Sequence, residues 1–337
     1  MAGVGGGLLA VHAHPDDETL ASGGLLATWA ASGEPVTVVT CTRGERGEVI
    51  ALPGTASAGL AHLEGDGPAL AAYRETELAA ALEALGDGAI EHLFLDAVDL
   101  PAGLGRAQAG TRFEDSGMAW VAPGIAGPSP DAPRNAFAHV PLDDAAARLA
   151  AVVRDRRPAV VVTYEPGGGY GHPDHVRAHE VAVRALTLAA DPTAPVPGEP
   201  WRAPQRWEAV MTETQLREAR RAMATAPGLA DLAQRAGLTF PDPDEALPPV
   251  AVPEAGLGEA VVVPVVPVLG RVLRALRSYA TQVQQVHELR EPVPLAGVPH
   301  GRLLGCYALS NGVLAPLVDR ETYAVRAGAA PRVGSAR

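Results

Sequence analysis

Short apolar runs alternate with longer segments of helical periodicity along the first half of the chain. The runs are rich in Val, Leu and Thr, which is typical of strands buried on both faces of a sheet, and they span residues 8–13, 35–42, 90–95 and 158–166. Apolar residues at helical spacing, with Gly or Pro near the segment ends, predict helices over residues 19–32, 71–85, 143–156 and 173–190. This alternation predicts an α/β fold, in which a mostly parallel sheet carries helices on both faces.

The second part of the chain is less regular, because Pro and Gly interrupt residues 191–204 and 241–258. Residues 260–269 predict an edge strand, since Pro264 and Pro267 have no N–H to donate to a neighbouring strand. A helix is predicted over residues 272–286 and two short strands over 303–325. We therefore expect an α/β core over residues 1–190, and a loop-rich part over 191–337 that packs on the same core as one domain.

Two clusters of polar residues come directly after predicted strands. The first reads HAHPDDE and spans residues 12–18, and the second reads GHPDH and spans residues 171–175. Turns ordinarily rely on Gly, Asn or Ser, so this concentration of imidazoles and carboxylates exceeds what a turn requires. Ligands of parallel sheets bind beyond the carboxyl ends of the strands, and both clusters are therefore expected at one edge of the sheet.

The residue types of the two clusters indicate a metal site. Catalytic zinc usually has three protein ligands and a fourth position for water. His14 and Asp17 lie three residues apart in the first cluster, and either His172 or His175 can supply the third ligand from the second. Asp16 is placed to accept a proton from an attacking water. A single aspartate at such a turn most often caps a helix, and it is the pairing of the two clusters that favours a metal.

Composition and charge exclude several classes of protein. The 337 residues are 47% hydrophobic and 20% charged, which is typical of a globular protein. The net charge is 27 − 39 = −12, so the chain has no general basic field for nucleic acid or an anionic membrane. The two cysteines, Cys41 and Cys306, are expected to be buried small hydrophobes, not a disulfide framework. With neither a basic leader nor a run of transmembrane length, a cytoplasmic location is expected.

The motifs AHPDDE and GHPDH resemble those of the LmbE-like, or PIG-L, family of zinc-dependent N-acetylglucosamine deacetylases. Further segments resemble the branch of that family which deacetylates N-acetylglucosaminyl-inositol in mycothiol biosynthesis: TCTRGERGEV, RFEDSGMAW, ATQV and LSNGVLAPLVDRETYAVRAG. The resemblance runs from about residue 8 to residue 328, and it is weakest over 51–67, 101–110 and 191–258.

This resemblance implies a Rossmann-like deacetylase fold with one Zn²⁺, or alternatively Fe²⁺, in each chain. It implies a small-molecule substrate, an N-acetylated amino sugar conjugate, and neither a nucleic-acid nor a membrane partner. His14, Asp17 and His175 match the metal ligands of the family, and Asp16 matches its general base. The implied enzyme is a metal-dependent amide hydrolase.

Other matched positions imply roles around the metal. Tyr170 and His172 match the residues that stabilise the oxyanion and protonate the leaving amine. Asp174 matches a carboxylate that orients a catalytic histidine. The positions that match substrate contacts are Glu48, Arg74 and Asp115.

Two departures leave alternatives open. Ala21 stands where relatives have a small hydroxyl residue near the substrate, and residues 101–110 lengthen the approach to Asp115. A mycothiol S-conjugate amidase, or a deacetylase of another N-acetylglucosaminide, therefore remains an alternative. A more remote one is a non-catalytic sugar- or nucleotide-binding module, which would be expected to have lost part of the metal set. All of that set is present: His14, Asp16, Asp17 and His175.

Overall fold

The computed structural model describes residues 6–100 and 112–328, so the predicted segment at 101–110 lies outside the described residues. The strands in this part of the chain are β1 (Leu8–His12), β2 (Val36–Thr40), β3 (Ile90–Phe94), β4 (Met118–Ala122), β5 (Ile125–Pro128), β6 (Val160–Tyr164), β7 (Gln205–Thr212), β8 (Ala251–Val252), β9 (Ala260–Pro264), β10 (Gln284–Pro294), β11 (Arg302–Ala308), β12 (Leu314–Val318) and β13 (Arg320–Ala327). The helices are α1 (Asp17–Ala31), α2 (Gly67–Gly86), α3 (Leu142–Arg156), the single turn α4 (Gly168–Gly171), α5 (Pro173–Ala190), α6 (Glu213–Thr225), α7 (Leu229–Ala236) and α8 (Leu269–Ser278).

The predicted α/β fold with a mostly parallel sheet is confirmed. An eight-stranded sheet has the order β3-β2-β1-β6-β7-β13-β9, with β8 paired to β7. The strands from β3 to β7 in this order are parallel, and β13 is antiparallel to both β7 and β9. Every residue of β1, β2 and β6 is buried, which is why these strands read as continuous apolar runs. The edge position predicted for the strand before Pro267 is also confirmed.

Helices cover the sheet on two faces, and each face has its own apolar core. Successive side chains of a strand point to opposite faces, so Leu8 and Ala10 join the cluster that contains Trp29, whereas Leu9 and Val11 join the cluster that contains Leu149. Helices α1, α2 and α8 contact one another on the first face, and α3 contacts α5 on the second. The central strands are therefore held from both sides, and their carboxyl ends emerge at a rigid edge.

The residues after 190 continue the sheet in a way that the sequence analysis only partly predicted. Strand β7 pairs with β6, and helices α6 and α7 pack with the three-stranded sheet β10-β11-β12 in a third apolar cluster. Within 303–325, where two strands were predicted, the structure has β11, β12 and most of β13. The hairpin β4–β5 and the elements β7, α6 and α7 were not predicted.

The predicted helix over 272–286 is wrong at its C-terminal end. Helix α8 stops at Ser278, and the following residues turn so that the N–H and hydroxyl of Thr281 donate to the carboxylate of Glu77 at 2.8 and 2.7 Å. Gln282 donates to the same carboxylate at 3.3 Å. This buried acceptor on α2 outweighs the local helical pattern, and the chain continues as β10 from Gln284.

Cys41 and Cys306 are both buried and unpaired, as predicted. Among the helices of residues 6–100 and 112–328, none combines the length and the apolar character needed to cross a membrane.

Candidate metal centre and active site

The turn between β1 and α1 is organised by two carboxylates. The N–H of His14 donates to Oδ2 of Asp17 at 2.9 Å, and the N–H of Asp16 donates to Oε2 of Glu18 at 3.1 Å. Asp16 has φ of 125°, a conformation that residues with a side chain rarely adopt. The hydroxyl of Tyr279, the residue after α8, donates to the carboxylate of Glu18. The turn thus holds Asp16 in a strained conformation, as is common at functional sites.

The turn between β6 and α5 brings the second cluster to the same edge. Gly168 has φ of 68°, and a Cβ at this position would lie 2.6 Å from the backbone nitrogen of Val176, so that only glycine fits. His172 caps α5, because its Nδ1 accepts the N–H of Asp174 at 3.1 Å. His175 follows in the first turn of α5 and is buried.

The three predicted metal ligands meet at one point. Nδ1 of His14 lies 3.2 Å from Oδ2 of Asp17, Nε2 of His175 lies 3.2 Å from the same oxygen, and the two ring nitrogens are 3.3 Å apart. Zinc bonds to nitrogen and oxygen of about 2.0–2.1 Å place tetrahedral ligand atoms roughly 3.3–3.4 Å from one another. The three atoms therefore have the spacing of one face of a coordination tetrahedron, and the residues fit a divalent metal.

Other donors lie close by and define alternative groupings. In one grouping, His14, His172 and His175 each offer a ring nitrogen within 4.8 Å of the others. In a second grouping, the ligand atoms of four residues lie within the same distance of one another: His14, Asp115, His172 and Asp174. We prefer the set with Asp17 because all three of its mutual distances, 3.2–3.3 Å, match the ligand spacing around a single ion. The ligand assignment itself stays a prediction.

Asp174 supports the cluster from behind. Its Oδ2 lies 3.1 Å from Nε2 of His14 and accepts the N–H of Ser116 at 2.8 Å, while its Oδ1 accepts the hydroxyl of Ser116. A carboxylate on the second ring nitrogen fixes the tautomer and orientation of a metal-binding histidine. The predicted orienting role therefore falls on His14, whereas His172 is reached only by the backbone N–H of Asp174.

The electrostatics of the cluster favour a cation. Burial lowers the pKa of His14, but the surrounding carboxylates, Asp115 first among them, raise it well above the ordinary range. Burial raises the pKa of Asp17, and His175 and His14 outweigh burial and hold that pKa well below its usual range. Burial, and then the charge of Asp17, raise the pKa of Asp16. The guanidinium of Arg74 is a positive charge that acts on Asp16, and a divalent ion would add positive charge among these buried carboxylates.

Tyr170 and His172 lie beside the predicted ligands as hydrogen-bond donors. Burial, followed by the charge of Asp17, raises the pKa of Tyr170 well above its ordinary value, so that its hydroxyl keeps its proton. Burial and the neighbouring imidazoles of His14 and His175 lower the pKa of His172. Since Nδ1 of His172 accepts a backbone N–H, the proton of its neutral ring is on Nε2.

A polar cavity of about 220 Å³ opens in front of the cluster. It brings together eight of the ten residues that the sequence analysis singled out for the site: His14, Asp16, Asp17, Glu48, Arg74, Asp115, Tyr170 and His172. The other two, Asp174 and His175, lie behind this wall and are buried. Residues far apart in the chain therefore share one cavity, as a single active site requires.

Two of the residues predicted to contact the substrate, Arg74 and Asp115, already form hydrogen bonds with backbone groups of the protein. Arg74 donates to the carbonyl oxygens of Gly44 and Glu48 at 2.5 and 3.1 Å, so its guanidinium secures the loop that carries Glu48. Asp115 accepts the N–H groups of Arg46 and Gly117 at 3.2 and 2.8 Å. Glu48, by contrast, is exposed at the mouth of the cavity and is free to meet a ligand.

Sequence reasoning missed several residues of the site. Arg46 lines the cavity and is exposed, although it stands in the segment TCTRGERGEV. Tyr164 accepts the N–H of Ala13 at 2.9 Å, and its ring stacks on His175 with centroids 4.3 Å apart. Ser116, which hydrogen-bonds to Asp174, directly follows the predicted Asp115 within the segment RFEDSGMAW.

Comparison with known proteins identifies the family. The family described as PIG-L, GlcNAc-PI de-N-acetylase, matches residues 9–186, which is 178 of the 337 residues. The chain belongs to the PIG-L family. The family predicted from AHPDDE and GHPDH is therefore confirmed, and the matched region contains both polar clusters of this PIG-L chain.

The similar proteins include three relatives, each named 1D-myo-inositol 2-acetamido-2-deoxy-alpha-D-glucopyranoside deacetylase. The one from Kineococcus radiotolerans is 45% identical over 258 residues, covering 76% of this chain and 63% of the relative. The one from Rhodococcus erythropolis is 48% identical over 198 residues, covering 59% and 58%. A third, from Saccharopolyspora erythraea with the suffix 1, is 40% identical over 323 residues, covering 95% and 89%. The match spans about three fifths of the first two relatives.

Proposed function

We propose that this protein is a metal-dependent hydrolase that removes acetate from N-acetylglucosaminyl-inositol in mycothiol biosynthesis, with one Zn²⁺ held by His14, Asp17 and His175. The observation that carries the proposal is the approach of three ligand atoms to 3.2–3.3 Å of one another beside Asp16. The names of the three relatives support the choice of substrate.

A divalent ion at this position would supply Lewis-acid activation of water and of the amide carbonyl. Asp16 lines the same cavity outside the ligand set, and its carboxylate takes a proton from the attacking water. Because burial and Asp17 raise its pKa, Asp16 is a stronger base than an ordinary aspartate. The protonated Asp16 then returns the proton to the departing amine, so no covalent intermediate is needed.

Tyr170 and His172 act on the oxygen of the amide. The Tyr170 hydroxyl and the Nε2–H of His172 are donors at the cavity wall, and such donors bind most strongly when the carbonyl oxygen gains negative charge. A neutral imidazole is a weak acid, so His172 serves here as a hydrogen-bond donor. The return of the proton to the amine is therefore assigned to Asp16, although the resemblance implied that role for Tyr170 and His172.

The sugar and inositol hydroxyls are assigned to the polar cavity. Glu48 and Arg46 are exposed at its mouth, and a carboxylate and a guanidinium can each hold vicinal hydroxyls. Arg74 acts indirectly in this scheme, because it holds the loop of Glu48 in place.

The substrate assignment is tested by comparing kcat/KM for three amides. We expect N-acetylglucosaminyl-inositol to exceed free N-acetylglucosamine by about 10- to 100-fold, since polar groups of the cavity lose their partners when inositol is absent. Acetate release and free amine should be measured together, with a mycothiol S-conjugate as third substrate. Equal values for the first two would contradict the pocket assignment, and a preference for the conjugate would identify an amidase.

Tyr170→Phe is expected to lower kcat by about 10²–10³-fold with little change in KM, because its hydroxyl acts mainly in the transition state. Steady-state kinetics on the inositol-linked substrate measure both constants. Tyr73→Phe is the matched control, since it removes a hydroxyl from a half-buried tyrosine outside the cavity and should leave both constants unchanged. A normal kcat with a raised KM would make Tyr170 a plain substrate contact.

A further inference from the structure

A second, apolar cavity of about 310 Å³ adjoins the polar one. The two cavities share Asp17, Leu20, Tyr170 and Leu309, so they meet beside the predicted metal ligands. Helices α1 and α8 and strands β7, β12 and β13 build the second cavity, and most of its lining side chains are Val, Leu, Ala, Pro or Met. An acetyl group needs far less room than this.

The position of the apolar cavity suits the acyl side of an amide substrate. A carbonyl carbon held near the ligands carries two substituents, the amine and the acyl chain, which must leave it in different directions. The polar cavity, with Glu48 and Arg46 at its mouth, suits the hydroxyl-rich amine side. The apolar cavity begins at Asp17 and His175, and it is therefore the space left for the acyl chain. Resting on the proposed function, we propose that it is an acyl pocket that admits straight aliphatic N-acyl chains longer than acetyl.

The depth of the apolar cavity limits the length of the acyl chain that it can hold. Glu321 lines it, and the carboxylate of Glu321 accepts the N–H groups of Gly24 and Leu25 at 2.6 and 2.8 Å. Gly24 is seven residues beyond Asp17 on α1, which at 1.5 Å per residue is about 10 Å. An extended chain covers about 3.5 Å in three bonds, so about nine bonds span this distance. Hexanoyl and octanoyl groups therefore fit.

Charged groups of the lining already have partners in the protein. Besides the two backbone N–H groups, Glu321 accepts the hydroxyl of Tyr323 at 2.7 Å. Arg320 donates to Asp319 at 2.9 and 3.2 Å and to the carbonyl oxygen of Pro299 at 3.1 Å. Ala21 adds no polar atom to the wall. An apolar chain can enter without leaving a buried charge unpaired.

The reaction on a longer acyl group is the same hydrolysis. The C–N bond breaks, the water oxygen bonds to the acyl carbon, and the nitrogen gains the proton that Asp16 took from the water, so that a fatty acid and the free amino sugar are released. Each buried methylene favours binding by about fourfold. Because this binding is equal in ground and transition states, it should appear in KM and not in kcat.

The native protein tests the inference with N-acetyl-, N-butanoyl- and N-hexanoylglucosaminyl-inositol. We expect kcat/KM to rise along the series, at least tenfold from acetyl to hexanoyl, through a falling KM. Calorimetric titration of chelator-treated protein with the acetyl and hexanoyl compounds gives a second readout that needs no turnover, and the hexanoyl compound should bind at least tenfold more tightly.

Val272→Phe fills the pocket without touching the polar cavity, since Val272 is buried on α8 and lines only the apolar one. It should leave kcat/KM for the acetyl compound within about twofold of the native value and reduce kcat/KM for the hexanoyl compound to the acetyl value. Val266→Phe is the matched control, because Val266 is 57% exposed beside the same helix. Both substrates should then behave as in the native protein.

Two results would overturn the inference. Hydrolysis of the acetyl compound with kcat/KM and affinity falling from acetyl to hexanoyl would show that the acyl side is closed, while the proposed deacetylation stands. Failure of every amide in the series would instead overturn the proposed function, and the acyl pocket with it. If Val272→Phe does not fold, the substrate series and the calorimetric titration of the native protein still test whether the acyl pocket exists.

Discussion

His175→Ala should abolish metal binding and turnover together. His175 supplies one of the three atoms that lie 3.2–3.3 Å apart. Loss of a partner that only orients a ligand costs about 10–100-fold in metal affinity or activity, and loss of the ligand itself should cost more. Elemental analysis of the purified variant, together with acetate release, measures both effects. His14→Ala should give the same result, because His14 supplies another of the three atoms.

The controls separate ligation from damage to the fold. His175 also stacks on Tyr164, so the melting temperature should be recorded for each variant. His62→Ala removes an exposed histidine and should keep full metal content and activity. Full metal occupancy in His175→Ala would show that the ligand set is wrong, and the grouping with Asp115 and Asp174 would then have to be considered.

The central part of the fold could be predicted because its strands are buried on both faces. Leu8–His12 and Val160–Tyr164 have no exposed residue, and a short continuous apolar run between helical segments is typical of a central parallel strand. The C-terminal part was harder, since its elements depend on distant partners. The end of α8 at Ser278 is decided by the buried carboxylate of Glu77, which lies 204 positions from Thr281. No local pattern contains that contact.

The candidate site shows the same division. His14 and Asp17 could be predicted as a pair because they lie three positions apart in one turn, and the hydrogen bond from the His14 N–H to Asp17 closes that turn. The contact of Ser116 with Asp174 joins positions 58 apart, and that of Tyr279 with Glu18 joins positions 261 apart. Their roles follow from packing. Short motifs thus identify the chemistry, whereas the side chains that orient it emerge only from the fold.

Arg74 illustrates how a motif can leave the role of a residue undefined. Its match implied direct contact with the substrate. The guanidinium is buried in the structure and donates to backbone carbonyls of the loop that carries Glu48. An arginine can hold a loop or bind a sugar with the same guanidinium group, and the sequence alone does not distinguish these two roles.

Asp16→Asn is expected to keep the metal and to lose about 10²–10⁴-fold in kcat, which is the usual contribution of a general base. The amide is nearly the same shape as the carboxylate but cannot accept the proton of the attacking water. Asparagine also has nearly the same size and backbone preferences as aspartate at this φ of 125°, whereas Asp16→Ala would remove the side chain along with the base. Metal content and kcat should be measured on the same preparation, with Asp231→Ala, an exposed aspartate on α7, as control.

The pH profile tests the assignment independently of the size of the loss. A base must be deprotonated to act, so native kcat should fall as the pH is lowered through the pKa of Asp16, which burial and Asp17 raise above its ordinary value. The residual activity of Asp16→Asn should lack this decline and fall only at the lower pH at which the ligands themselves are protonated and release the metal. An unchanged acid limb would assign the titration to another group. Loss of metal from Asp16→Asn, with Asp17→Asn retaining it, would show that the two aspartates have exchanged roles.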